Sequence, residues 1–311
     1  MDIEILLWLQ DFREATDNIL TPAMKWLSHD LMIWPVMVPF VIYWCFSKKA
    51  GLFLIISVSA SRFFNAIMKV AACVYRPWIQ DPRIIPAGSR PSSYSFPSGH
   101  TMWSAPIFGG LAVLGRRSKF AVSLCGLVIV LVAFARMYLG VHTPQDVICG
   151  TLAGLVAVWL ASVIINHPEH ENKYLIAGVL LCIAGIAYTV MKSYPMDYAD
   201  GKLIVDPFKM TFDTFYGVGI MSGLILGRLI ERKFIRFQVT GFNVKGVILA
   251  VIGLIPVYFI QATFAGDYKL LYEVLEGMFT VRGGRFVMGF MLTFWTVAAW
   301  PCVIKFTGGR E

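Results

Sequence analysis

The chain has 311 residues, 57% of them hydrophobic and 15% charged, with a mean hydropathy of +0.67, whereas an ordinary soluble domain is about 45–50% apolar and about 25% charged. That balance excludes a soluble globular protein and indicates a membrane protein. The formal net charge of +8 does not imply a nucleic-acid partner, because the basic residues fall in short loops between apolar runs and form no binding stripe.

In chain order, residues 3–12 carry Ile3, Ile5, Leu6, Leu7, Trp8 and Leu9 among acidic residues. This stretch is too short to span a bilayer and suits a helix lying in the interface. Met1-Asp-Ile-Glu-Ile has no basic n-region and no small-residue cleavage site, so a cleaved signal peptide is not expected. Apolar runs then fall at 32–46, 51–69, 100–114, 120–138, 146–165, 174–191, 212–230, 244–264 and 286–304, which predicts nine spans. Residues 147–165 hold no charged side chain; at ~1.5 Å per residue they extend roughly 28 Å, close to the ~30 Å hydrocarbon core. The six cysteines are scattered singly with no Cys-x-x-Cys pair, and they neither form a framework nor report a compartment.

Charge sets the expected orientation. Lys48-Lys49, Arg116-Arg117, Lys119, Lys173 and the run from Arg228 to Arg236 all fall on the face reached after odd-numbered spans. Short basic loops mark the cytoplasmic side. The loop 70–99 and the polar stretch 136–146 are therefore expected to face the periplasm, lumen or exterior.

On that second face stand three polar blocks: Lys69-x6-Arg76-Pro77, Pro97-Ser98-Gly99-His100 and Arg136-x5-His142-x3-Asp146. Each alone reads as a loop beside an apolar run. Together they supply three cations, two histidines, a carboxylate and a Ser-Gly turn at a helix start, the parts that phosphoryl transfer needs. A phosphoryl group in flight spreads charge over its equatorial oxygens, so fixed cations and backbone N–H groups stabilise the transition state more than the ground state. Lys69, Arg76 and Arg136 supply charge, and Gly99 lets backbone approach closely. Ser98 adds a hydroxyl at a helix N-terminus, where anions are favoured. Thr143, Pro144 and Asp146 are expected as N-cap, N1 and N3 of the following helix, which makes a second helix start in the site. Asp146, four residues after His142, can fix its tautomer and stabilise a phosphoimidazolium, so His142 is the expected nucleophile and His100 the general acid.

These blocks resemble the signature of the type-2 phosphatidic acid phosphatase superfamily, which includes lipid phosphate and pyrophosphate phosphatases, glucose-6-phosphatase-like enzymes and vanadium haloperoxidases. The resemblance covers roughly residues 50–165. It implies His142 as nucleophile, His100 as general acid, Asp146 as partner of the nucleophile, and Lys69, Arg76, Ser98, Gly99 and Arg136 as phosphate ligands, with no metal and no cofactor. One departure is Ala135, where the family usually has serine before the third-block arginine; reduced phosphate affinity is expected from it.

The expected fold is all-α: a polytopic membrane helical bundle with a six-helix phosphatase core and about three extra C-terminal transmembrane helices. The expected organisation is an interfacial segment over 1–30, the core over 31–191 and an extension over 192–311. The expected function is hydrolysis of a lipid phosphate or lipid pyrophosphate at the non-cytoplasmic face, with a phosphorylated lipid as substrate, membrane lipids around it and no nucleic acid. Two other readings are a glucose-6-phosphatase-like hydrolase of a soluble sugar phosphate, whose layout nine spans resemble, and a non-catalytic binding or transport protein, against which the intact His100, His142 and Asp146 weigh.

Other features have plainer expectations. Arg62 and Asn65 share a face of the second span with Lys69 and are expected as a buried structural pair. His167-Pro-Glu-His170-Glu171 offers metal-ligand chemistry but lies on the opposite side from the three blocks, and a solvated loop is expected there. Glu231–Arg236 reads as a topology determinant. The loops 192–210 and 266–285, the latter with Leu270, Leu271, Val274, Leu275 and Phe279 suggesting an amphipathic helix, are candidate lids or plain connections.

Overall fold

The computed structural model describes residues 2–28, 35–88, 90–199, 201–265 and 269–307, without the side chains of 264–265, 269–277 and 279. Two short helices, α1 (Asp2–Ala15) and α2 (Thr21–Ser28), precede a short apolar helical segment α3 (Pro35–Phe46), which ends in a π-helical turn over Ile42–Phe46. The long α4 (Lys48–Ala72) and the single-turn α5 (Pro77–Gln80) lead through a loop to α6 (Gly99–Leu114), α7 (Lys119–Tyr138), α8 (Pro144–Asn166) and α9 (Glu171–Met191). A two-stranded antiparallel hairpin, Tyr198–Ala199 with Lys202–Leu203, precedes α10 (Pro207–Ile230). The chain ends in α11 (Val244–Ala265), α12 (Lys269–Phe294) and α13 (Trp300–Phe306).

Among the described residues the protein is all-α apart from that hairpin, and seven helices are long and apolar enough to cross a membrane. This is a multi-pass membrane architecture. Every one of the nine expected apolar runs is helical where described, but two fall short of spanning length: α3, and α6 with 16 residues. Residues 29–34, which include the start of the first expected run, lie outside the described residues. The helix expected within 266–285 is present from Lys269, broken at Thr280 (φ 65°, ψ 163°); residues 266–268 and the side chains of Leu270, Leu271, Val274, Leu275 and Phe279 lie outside the described residues.

The sites of helix ends follow local chemistry. Ser47 caps α4 by accepting from the Ala50 N–H, Ser118 caps α7 through Ala121, and Asp206 caps α10 through Phe208 and Lys209, with Pro207 at N1. Lys48, Glu231, Arg228, Glu171 and Arg232 form a chain of ion pairs linking the starts of α4 and α9 to the end of α10. This cluster lies at the opposite end of α4 from Lys69.

α6 is held between α4 and α8. Phe53 and Leu54 of α4 pack with Val158 and Ala161 of α8, while Ile107 of α6 and Val132 of α7 share a cluster with Val36. The largest apolar cluster joins Phe40, Tyr43, Trp44 and Ile55 to Tyr216, Ile220, Leu224, Leu292, Val297 and Trp300. The C-terminal helices therefore share a core with the first half of the chain. At the α10–α12 contact the backbones nearly touch: a Cβ on Gly219 would lie 2.1 Å from the Phe286 carbonyl oxygen, and one on Gly223 would lie 2.3 Å from that of Phe290. Such small-residue contacts replace the hydrophobic driving force that is absent between helices in lipid.

The N-terminal helix does more than lie beside the bundle. Leu6 and Leu9 pack on Ile84, and the buried Arg13 donates to the carbonyls of Tyr138 (3.1 Å) and Ile85 (2.7 Å). Trp8 remains exposed on its outer face.

Candidate active site

The three polar blocks meet at one end of the bundle, at the C-terminal ends of α4 and α7 and the N-terminal ends of α6 and α8. α8 begins as its spacing predicts: Thr143 is the N-cap, Pro144 occupies N1 and Asp146 N3. The Thr143 N–H donates to Asp146 Oδ2 (2.9 Å) and the Asp146 N–H to Thr143 Oγ1 (3.3 Å), a reciprocal capping box. The same Asp146 Oδ2 lies 3.3 Å from His142 Nδ1. One carboxylate thus caps the helix and faces the imidazole. His142 and Asp146 are each about 1% exposed.

His142 Nε2 lies 2.9 Å from Arg76 Nη1. A guanidinium only donates, so Nε2 is the acceptor and carries the lone pair, and Nδ1 holds the proton that faces Asp146. Burial above all, then the charges of Arg76, Arg136, Lys69 and His100, holds the His142 pKa well below the ordinary 6.5. The imidazole is neutral with its Nε2 lone pair turned toward the cations.

Arg76 is fixed by the Ser93 carbonyl (2.8 Å), the Ser93 hydroxyl (2.7 Å) and the Val141 carbonyl (2.9 Å). Lys69 Nζ donates to the carbonyls of Tyr94 (2.6 Å) and Ser95 (3.4 Å). Arg136 is buried at the end of α7, and its Nε has no hydrogen-bond partner among the described residues. Ser98 is the N-cap of α6 but makes no side-chain cap bond, and its Oγ is buried without a partner among the described residues. These two atoms are donors available to a ligand oxygen. His100 is half-buried one residue inside α6, and Gly99 has only Asn65 Oδ1 near the place a Cβ would take, at 3.5 Å.

The helix starts differ from the expectation in one respect. The capping box closes the α8 start on its own Asp146, so the open N-terminus in the site is that of α6. Close packing sets the distance between these two starts. A Cβ on Gly150 would lie 2.2 Å from Thr101 Oγ1 and 2.8 Å from the Ser98 carbonyl oxygen. The Ser98 N–H donates to the Asp146 carbonyl at 3.0 Å, which ties the second and third blocks together.

Two contributors escaped sequence reasoning. Ser95 Oγ donates to Asp146 Oδ2 (2.5 Å) and lies 3.4 Å from His142 Nδ1, and Ser93 accepts from Nε and Nη2 of Arg76. Their only signal was the serine-rich run Ser92-Ser-Tyr-Ser-Phe-Pro-Ser98 ahead of the second block. Arg62 and Asn65 are buried or nearly so but do not pair with each other. Arg62 faces Asp213 at 3.8 Å, and Asn65 contacts the Pro97 carbonyl (3.5 Å) and Met102 Sδ (3.2 Å), beneath the Ser98 turn. His167 and His170 are exposed; His167 Nδ1 lies 2.9 Å from the Val163 carbonyl and His170 packs edge-on to Tyr174. The 192–210 loop leans on the site's outer wall, where Tyr194 and Val205 pack with Val70 and Tyr94, and the Tyr75 hydroxyl donates to Asp197.

Comparison with known proteins gives matches over part of the chain. Residues 50–168 match the model of the PAP2 superfamily, the class its three blocks resemble. A phosphatidylglycerophosphatase B of Bacillus subtilis is 32% identical over 120 residues, 35% of this chain and 55% of its own length. An undecaprenyl-diphosphatase of Sulfolobus acidocaldarius is 32% identical over 109 residues, 35% of this chain and 52% of its own. The chain thus spans about half the length of the curated relatives it matches. No solved structure matches.

Proposed function

We propose that the protein is a metal-independent integral-membrane phosphatase that hydrolyses a lipid phosphate or lipid pyrophosphate at the non-cytoplasmic face. The observation that carries this reading is His142, whose Nδ1 faces Asp146 and whose Nε2 lone pair faces the Arg76 guanidinium, at the end of the bundle where Ser98 Oγ and Arg136 Nε have no partner among the described residues. The phosphate of the substrate takes those donors together with Lys69, Arg76 and the open start of α6 at Gly99. Arg76 swings from His142 Nε2 to a phosphate oxygen. Nε2 then attacks phosphorus, the bond to the leaving oxygen breaks, and His100 supplies the proton that oxygen takes up. Asp146 stabilises the phosphoimidazolium. Water, deprotonated by His100, attacks phosphorus in turn, and inorganic phosphate and neutral His142 are released.

A lipid is the favoured substrate because the site sits at the end of a membrane bundle, where an amphiphile presents its headgroup while its tail stays in the bilayer. Both relatives are named for lipid phosphates. Residues 31–191 act as the catalytic core, 192–311 as its extension and 1–30 as an interfacial segment.

Purified protein in detergent is expected to release phosphate in the presence of EDTA, and His142→Ala is expected to abolish turnover. Retained activity in that variant would sink the nucleophile assignment, and loss on chelation would point to a metal enzyme. Phosphatidic acid, phosphatidylglycerol phosphate, sphingosine phosphate, undecaprenyl pyrophosphate and glucose 6-phosphate at matched concentrations decide the substrate class. A preference for the sugar would overturn the lipid reading.

A further inference from the structure

The end of the bundle remote from the candidate active site carries a groove of about 450 Å³, between the start of α4 and the ends of α6 and α8. This lies within the about 300–1,000 Å³ usual for small-molecule sites. Phe53, Val113 and Ile165 give it an apolar wall, and Lys49, Arg116 and Arg117 line its polar end. The groove is separate from the phosphate site. The 16 residues of α6 lie between Ser98 and this end, roughly 24 Å at ~1.5 Å per residue.

The three cations are uncompensated. None of them makes an ion pair or a side-chain hydrogen bond among the described residues, and no acidic side chain lines the groove there. α4 begins at the same place with no acidic residue in its first turn; Ser47 takes up the Ala50 N–H, while the N–H groups of Lys48 and Lys49 have no acceptor within the helix. The positive end of that helix therefore adds to the charge of the side chains. A neighbouring groove of about 410 Å³, between α4, α8, α9 and α10, makes the contrast. Its Lys48 and Arg228 are already held by Glu231 and Glu171. The first groove lacks such acids, so an anion is favoured there.

Charge alone would suit a free anion, but the wall of Phe53, Val113 and Ile165 runs down between three membrane helices, where a hydrocarbon chain fits. Basic pockets between transmembrane helices bind anionic lipid headgroups. We propose that this groove is a non-catalytic site for an anionic diacyl phospholipid of the leaflet at that end of the bundle. Its phosphate accepts from Lys49, Arg116 and Arg117, and one acyl chain lies along the apolar wall.

Equilibrium binding of tritiated dioleoylphosphatidylglycerol to the immobilised full chain in a neutral detergent tests this without reference to turnover. That lipid is a phosphodiester and offers no terminal phosphate to a phosphatase. One molecule per chain is expected to bind, at least tenfold more tightly than zwitterionic dioleoylphosphatidylcholine used as competitor. Arg116→Gln combined with Arg117→Gln is expected to weaken binding about 30-fold, about fivefold for each charge lost. Val113→Trp fills the groove from an exposed position and leaves every charge in place; a loss of about fivefold or more is expected from it, which general attraction of anionic lipid to a basic surface would not produce. Inorganic phosphate is expected to displace no more lipid than chloride does at equal ionic strength. Should the doubly substituted chain insert poorly, Val113→Trp decides alone. Equal binding of phosphatidylcholine, unchanged affinity in Val113→Trp or in the folded double variant, or displacement by phosphate, which would mark a free-anion site, overturns the proposal.

Discussion

His142 is the residue whose chemistry depends most on its neighbours. Burial and the surrounding cations disfavour its protonated form, so its pKa lies below 6.5 and it stays neutral through neutral pH. As pH falls, the free site loses the Nε2 lone pair of His142, the proposed nucleophile, only when that lowered pKa is crossed. The acid limb of kcat/KM assigned to His142 is expected below pH 6.5, and NMR titration of its imidazole in the ligand-free protein checks it; a midpoint at or above 6.5 would refute the assignment. Ser95 offers a second test. Ser95→Ala removes a donor to Asp146 Oδ2, which is expected to cost about 1–3 kcal/mol in transition-state stabilisation, roughly 5- to 160-fold in kcat/KM. Steady-state kinetics beside a thermal melt separates this from simple destabilisation. Lys69, Arg76, His100, Arg136, His142 and Asp146 were legible because each carries a charge or an imidazole in a greasy chain, and Ser98 and Gly99 because they stand beside His100 at a helix start. Ser93 and Ser95 were not, because a serine in a loop carries no such contrast and its role rests on what the fold brings beside it.

At the scale of elements, the start of α8 could be read from Thr143, Pro144 and Asp146, since capping depends on neighbours three residues apart. Its approach to α6 could not. Gly150 looks like any small residue in an apolar run, yet its Cα faces Thr101 and the Ser98 carbonyl so closely that no side chain fits. Gly150→Val is expected to force α8 away from the Ser98–His100 turn, costing about 1–3 kcal/mol of stability. It should also lower kcat strongly, because displacement of the phosphate donors by an ångström is costly. A melt showing no loss, with kcat intact, would mean that this contact does not position the site. Thr143→Ala removes the hydroxyl that accepts from Asp146 N–H and is expected to destabilise by about 1 kcal/mol.

For the whole molecule, the ion-pair chain at the other end of α4 links the core to the C-terminal helices. Glu231 is fully buried between Lys48 and Arg228, both of them partly exposed. Glu231→Ala is expected to cost about 1–3 kcal/mol, less than a fully buried pair because water screens the two cations, and a lowered thermal midpoint with unchanged KM checks it. The orientation drawn from charge is testable by labelling single cysteines introduced into 192–199: reaction from the non-cytoplasmic side is expected, and reaction from the cytoplasm alone would invert the topology. The shared cluster of Tyr43, Trp44 and Ile55 with Tyr216, Ile220 and Trp300 implies that residues 1–191 expressed alone expose much of their apolar face and fail to give active protein.

The sequence by itself determined that this is a multi-pass helical membrane protein, where its helices run and which charged residues stand together in three polar blocks. Those properties are local, since span length, capping and polarity contrast are set by residues within a few positions of one another. Tertiary structure alone decided that Arg76 meets His142, that Ser95 bridges to Asp146, that Gly150 sets the spacing of two helix starts, and that Asp213 of α10 faces Arg62 of α4. Each of these joins residues far apart in the chain, and which pairs touch depends on how the helix faces pack, a relation that no spacing along the chain encodes.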